Sequence, residues 1–130
     1  MEKIKFEIPK KSEFISCLRL TTSSISNICD LDIDKIEDMK VIVSEICIFF
    51  INNIIKNEKP FIIEYYLYDD KIVIEVTDKN DEKLSEDSIK SSEMFSLIVD
   101  SLADSYDIDY DNNKIVFETI IIKDRRWYFD

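Results

Sequence analysis

Glycine is absent from this sequence, and so is histidine. The first absence excludes a conventional glycine-rich phosphate loop, because glycine is the usual device for positive φ and for close approach of backbone to phosphate. The second removes the commonest general base and metal ligand. Three cysteines, Cys17, Cys29 and Cys47, show neither close pairing nor a CxxC spacing. They argue against both a disulfide framework and a zinc site, and read as small buried hydrophobes. Basic residues are also short, 17 against 28 acidic, for a net charge of −11. Such a chain repels phosphate backbones, so no nucleic-acid face is expected. No apolar run approaches the ~20 residues needed to span a bilayer. The start, Met1 to Phe6, alternates charged and apolar residues and has no signal-peptide core. A soluble cytoplasmic protein without a membrane partner is the expectation.

What is present suffices for a packed core: 45% of the 130 residues are hydrophobic, enough for one compact domain over 1–130. Residues 2–8 alternate with period two and read as a half-buried strand ended by Pro9. Ser12 is a candidate cap for a helix to about Cys29, with Phe14, Leu18, Ile25 and Ile28 inward. Asp32 is a candidate cap for a second helix over about 33–57. Its stripe of Ile36, Met39, Val43, Ile46, Cys47, Phe50 and Ile54 has the period of a core-facing helix.

Residues 61–68 and 71–77 read as two strands joined by Asp69-Asp70. Residues 78–90 read as a polar loop. Ser91 or Ser92 opens a third helix with Phe95, Ile98, Val99 and Leu102 on its apolar side. Residues 106–111 and 114–123 form a second hairpin around Asn112-Asn113, where asparagine tolerates the left-handed conformation that glycine usually supplies. A tail over 124–130 holds Trp127, the one tryptophan of the sequence. The expected fold is an α/β two-layer sandwich, a mostly antiparallel sheet with three helices on one face, in the order β-α-α-β-β-α-β-β.

Two segments carry a more specific likeness. One is Glu-Phe-Ile-Ser-Cys-Leu-Arg-Leu-Thr at 13–21, and the other is Ile-Glu-Asp-Met-Lys-Val-Ile-Val-Ser-Glu at 36–45. In these, at this separation, the chain resembles the bacterial anti-sigma-factor serine kinases of the GHKL (histidine-kinase-like ATPase) superfamily, and the similarity runs from first strand to last. The resemblance implies an ATP site in three parts. The first lies on the second helix, where one-turn spacing puts side chains on one face. Glu45 matches the family's general base and Asn53 the third position. Phe49 stands at the magnesium position and offers no oxygen to a hard cation. Asn52 shares the face but lies too far along to replace that ligand.

The second part is the turn after the central strand. Asp78 matches the adenine-reading carboxylate, and Asn80 stands where the first glycine would be and tolerates a left-handed conformation. The third part is the glycine-rich entry to the third helix, here replaced by Glu93 and Phe95. A carboxylate beside phosphate costs on the order of kcal/mol even when screened. Residues 79–90 also make a shorter lid than the family's. Each matched residue has a plainer reading as well, Glu45 as a helix-surface acid and Asp78 as a turn former.

These departures lead to an expectation of no kinase activity, no cofactor and no metal, with Phe49 and Phe95 filling the nucleotide cavity. The resemblance further implies a homodimer that binds a sigma factor and a STAS-domain anti-anti-sigma protein, with Arg19 matching the contact residue. The function expected is therefore a regulatory binding protein that sequesters a sigma factor or its STAS-domain regulator. The alternative is a divergent ATP- and magnesium-dependent serine kinase still using Glu45 and Asp78.

Overall fold

A computed structural model describes residues 1–122, the side chains of residues 90 and 91 excepted. The tail with Trp127 lies outside the described residues. Five strands form one sheet: β1 (Glu2–Ile8), β2 (Phe61–Leu67), β3 (Lys71–Asp78), β4 (Ser105–Asp109) and β5 (Lys114–Ile120). Their spatial order is β1-β2-β3-β5-β4, and every pairing is antiparallel. The alternation in the sequence sets the register. Ile63, Tyr65, Ile72, Ile74, Val76, Ile115 and Phe117 face the core and are buried. The intervening residues carry cross-strand ion pairs, Lys3–Glu64 at 2.7 Å and Lys114–Glu75 at 2.8 Å. Directly opposed Glu64 and Glu75 are each neutralised by a lysine of the outer neighbouring strand, which relieves their repulsion.

The helices are α1 (Ile15–Ile28), α2 (Ile33–Asn53), α3 (Glu86–Ser91) and α4 (Glu93–Leu102). Asp32 caps α2 as its sequence predicts, accepting from the Lys35 amide at 2.9 Å. Along α2, Met39, Ile42, Val43, Ile46, Cys47, Phe49 and Phe50 are buried, so its apolar face is wider than the one stripe expected. The core is the layer between this helix and the sheet. Thr22 on α1 and Tyr65 on β2 share a buried hydrogen bond of 2.8 Å across that layer. No helix of the described residues is long and apolar enough to cross a membrane.

Several expectations are corrected. Residues 78–90 contain a helix, α3, so four helices rather than three occur among the described residues. The Ser85 hydroxyl caps α3 by accepting from the Ser88 amide at 3.2 Å. Ser12 opens a 3-10 turn, Ser12–Phe14, with no side-chain cap, and α1 begins after it. Ile28 is 70% exposed, because it falls on the outer side of the last turn of α1. Helix α2 ends at Asn53 rather than 57, since Ile54 turns to extended backbone. Of the cysteines only Cys47 is buried, while Cys17 is exposed on α1.

Two residues supply the left-handed geometry in this glycine-free chain, Asp30 at φ 63° and Asn113 at φ 49°. Asp30 closes α1: its amide donates to Asn27 O at 3.1 Å, and the Leu31 amide reaches back to Ser26 O at 3.2 Å. That pattern is a Schellman motif with aspartate in the glycine position.

Candidate functional site

At the end of β3 the chain buries a charge. Asp78 is 1% exposed, and its carboxylate is fully engaged from within the protein. Oδ1 accepts from the Asn80 amide at 2.9 Å and from Asn80 Nδ2 at 2.7 Å. Oδ2 makes no directional hydrogen bond. Its partner is the Lys10 ammonium at 2.8 Å, with side-chain exposures of 2% for Lys10 and 0% for Asp78. Lys10 comes from the short connection between β1 and the 3-10 turn. The same ammonium donates to Ile54 O and to Lys56 O, both at 2.6 Å. Two hydrogen-bonded carbonyls and the ion-paired Asp78 carboxylate thus surround the ammonium. The carbonyls are free to accept because the chain leaves the helix at Ile54.

Asn80 is the second part of this closure. Its Nδ2 also donates to Lys59 O at 3.3 Å, and its Oδ1 accepts from the Lys59 amide at 3.1 Å. It does so without a positive φ, so it does not use the left-handed conformation that its glycine-like position allows. The segment following Asn80 is held against the sheet end. Asn113 Nδ2 donates to Glu82 O at 2.6 Å, and Asn113 Oδ1 accepts from the Leu84 amide at 2.9 Å. Glu82 Oε1 accepts from the Ile55 amide at 2.7 Å. This segment is therefore fastened to the end of α2 and to the β4–β5 turn. Cys47 lies beside this cluster. Burial, then the Asp78 charge, push its thiol well above the ordinary range, so it remains protonated.

A separate groove opens between α2 and α4, with a volume of about 350 Å³. Glu45, Asn52 and Asn53 line it from α2 and Glu93 from α4, over Phe49 and Phe95. The two phenylalanines are buried and stacked, ring centroids 4.4 Å apart and planes 22° from parallel. The expected packing of this pair is present, but it does not fill the space, and the groove beside it is a correction to that expectation. Asn53 Nδ2 donates back to Phe49 O at 2.9 Å, which ties its amide to the helix. Glu93 occupies the first turn of α4, where a helix N-terminus favours negative charge.

The sequence-matched residues thus divide into two sets. Glu45 and Asn53 line the groove, whereas Asp78 and Asn80 are sealed in the cluster and do not reach it. Arg19 is on the exposed side of α1, on neither. Among the described residues no group of three or more acidic or cysteine side chains could hold a metal ion. Sequence reasoning missed Lys10, Glu82 and Asn113 as site residues. Asn113 gave a turn signal only, and nothing distinguishes Lys10 from its neighbour Lys11 without the fold.

The comparisons with known proteins follow this geometry. A serine-protein kinase RsbW of Halalkalibacterium halodurans is 36% identical over 78 residues, 60% of this chain and 48% of that protein. An RsbW of Bacillus cereus is 37% identical over 78 residues, 59% of this chain and 49% of that one. Over that stretch the chain is similar to the RsbW serine-protein kinases. It spans about half the length of these curated relatives. The solved RsbU and RsbW domains of Rv1364c from Mycobacterium tuberculosis superpose with a TM-score of 0.69 at 10% identity, covering 92% of this chain and 32% of that one. At that identity the likeness is one of fold. No family model matches the chain.

Proposed function

We propose that the protein is a regulatory binding module of the anti-sigma type that works by occlusion, without a nucleotide. The observation that carries this reading is the buried Lys10–Asp78 pair. At the position where the resemblance calls for an adenine-reading carboxylate, the chain brings its own donor. A base entering there would have to displace an ammonium that holds two carbonyls and a carboxylate charge in a desolvated site, where breaking such a pair costs several kcal/mol. The groove is no more receptive to the rest of a nucleotide. Phe49 offers no oxygen to magnesium, which needs an oxygen-rich octahedral shell. Glu93 places a carboxylate at the helix N-terminus that would otherwise draw a phosphate. The residues present do not fit magnesium-ATP, so no phosphoryl-transfer step is derived through it.

The exposed face of α1, with Arg19 and Leu20 outward, lies outside this closed site. It is the surface that the resemblance assigns to a sigma factor and a STAS-domain protein, and its geometry does not depend on a nucleotide. Arg19 has no ion-pair partner among the described residues, so its fork of donors is open to a carboxylate of a partner. We read these two proteins as the partners and α1 as the contact.

Titration calorimetry with magnesium-ATP tests the reading, together with pull-down of purified sigma-factor and STAS-domain proteins encoded in the same genome. The expected result is no nucleotide heat and a complex with one of the two that Arg19→Glu abolishes. Magnesium-dependent ATP binding with phosphorylation of the STAS protein would overturn it in favour of a divergent kinase.

A further inference from the structure

The groove between α2 and α4 has a chemistry of its own. Its two carboxylates, Glu45 and Glu93, stand on facing helices and neither is ion-paired among the described residues. Among the described side chains no lysine or arginine lines it. The floor is the stacked Phe49–Phe95 pair, and the rim carries Ile48 and Met94, 37% and 66% exposed. Leu97 continues this apolar edge one turn along α4 at 65% exposed. Exposed apolar side chains clustered around a concavity are features of an interaction site rather than of a solvated surface.

Charge selects the occupant. A phosphate or another anion would meet two carboxylates in a chain of net charge −11, and a purely apolar segment would leave both carboxylates partly desolvated without a partner. A cationic side chain flanked by apolar ones satisfies both halves. Its head pairs with Glu45 and Glu93, the free Oδ1 of Asn53 offers another acceptor, and its apolar neighbours cover Met94, Ile48 and Leu97. We propose that this groove docks a basic amphipathic helix of a partner protein, with an Arg or Lys seated between Glu45 and Glu93. The inference rests on the reading above that no nucleotide uses the groove, and it adds a second contact surface, apart from Arg19.

The recognition is a helix-in-groove mode in which apolar anchors at i, i+3 and i+4 give affinity and the central cation gives register. A carboxylate partner favours arginine over lysine, because a planar guanidinium fork can donate two parallel bonds to it. The long-range field of the acidic chain speeds the encounter and makes it dependent on salt.

Fluorescence anisotropy with a labelled amphipathic helix of Leu, Ala and Arg, and with its twin carrying Gln for Arg, tests the proposal. The Arg peptide is expected to bind the intact chain at least about ten-fold more tightly than its twin. The double variant Glu45→Gln/Glu93→Gln is expected to weaken the Arg peptide about ten-fold, whereas Glu2→Gln/Glu7→Gln, which removes equal charge from exposed β1, changes it by less than about two-fold. Met94→Lys, on an exposed rim position where folding is not at risk, is expected to abolish binding. Equal losses in the two Gln pairs would mean diffuse attraction to an acidic surface and would overturn the proposal, as would binding indifferent to Met94→Lys. Competition by magnesium-ATP would overturn the nucleotide-free reading instead, and would leave the peptide result standing.

Discussion

Replacing Lys10 by methionine isolates the buried pair. Methionine keeps the length and apolar stem of lysine and removes only the ammonium. Three groups then lose their partner: Asp78 Oδ2 its counter-charge 2.8 Å away, and the Ile54 and Lys56 carbonyls their donor, each 2.6 Å away. Asp78 is left as an uncompensated charge in the interior, which typically costs about 3–5 kcal/mol. For a chain of 130 residues, the unfolding entropy converts each kcal/mol to about 4 °C, so the melting temperature should fall by about 12–20 °C. Urea denaturation measures the loss directly, as a lower midpoint at unchanged slope.

The pairwise part comes from a double-mutant cycle. Asp78→Asn alone strands the ammonium with two carbonyls, while Lys10→Met/Asp78→Asn removes both charges. The double variant is expected to be more stable than the sum of the single losses by at least about 2 kcal/mol. The exposed pair Lys71–Glu118, at 3.5 Å with side chains about a third exposed, is the comparison, and Lys71→Met should cost under about 1 kcal/mol. A loss for Lys10→Met within the range of Lys71→Met, or strict additivity in the cycle, would refute the assignment of Lys10 as the internal partner of Asp78.

Two other outcomes follow from particular residues. Asp30→Gly should raise stability by about 0.5–1 kcal/mol in the same denaturation assay, because an exposed aspartate now holds φ 63° where glycine has no Cβ penalty. Tyr65 is fully buried, and burial raises its phenol to about 12. A folded-state value above the unfolded one means that its contribution is complete below about pH 10 and is lost as pH rises toward 12, with roughly 2–3 kcal/mol at stake for a two-unit shift. Tyr65→Phe should therefore be less stable than the parent near pH 8, having stranded the Thr22 hydroxyl, yet show a shallower loss of stability between pH 10 and 12 when followed by circular dichroism.

What was legible in the sequence was what depends on period and on local chemistry. The strands followed from alternation, and the second helix from the spacing of Met39, Val43, Ile46 and Phe50. The Asp32 cap followed from an acidic residue just ahead of that stripe, and Asn113 from a turn that needs positive φ. Ends and exceptions were less legible. The last turn of α2 looked helical through 57, but the carbonyls of Ile54 and Lys56 are taken by a lysine more than forty residues away in the chain. Such long-range demand leaves no local trace. Helix α3 was hidden for the opposite reason. Its six residues are too few for a periodic signal, and only the Ser85 cap marks its start. The candidate site divided along the same line. Glu45, Phe49 and Asn53 fall on one helix face by spacing alone, whereas the capture of Asp78 by Lys10 depends on how β1 and the end of β3 are brought together.

On the function proposed above, the loss of individual motif residues and the closing of the site are different events. In that reading Phe49, Glu93 and Phe95 stand in for ligands of magnesium and phosphate, and by themselves would leave a weak adenine site at Asp78. Lys10 would then remove that remainder by filling it. Asn80, Glu82 and Asn113 then fasten the lid over the filled position, so the end of α2, the lid and the β4–β5 turn form one hydrogen-bonded block. In a site that opens for a nucleotide, a lid held by such bonds would oppose opening, most of all at the buried Leu84–Asn113 bond, whose rupture leaves desolvated groups behind. In a module that presents a fixed surface to a protein partner the same bonds are useful, because they spare the ordering cost that binding would otherwise carry. The geometry around Asp78 is thus better suited to rigidity than to turnover, and it leaves the groove between α2 and α4, with its two carboxylates that are not ion-paired among the described residues, open to a partner.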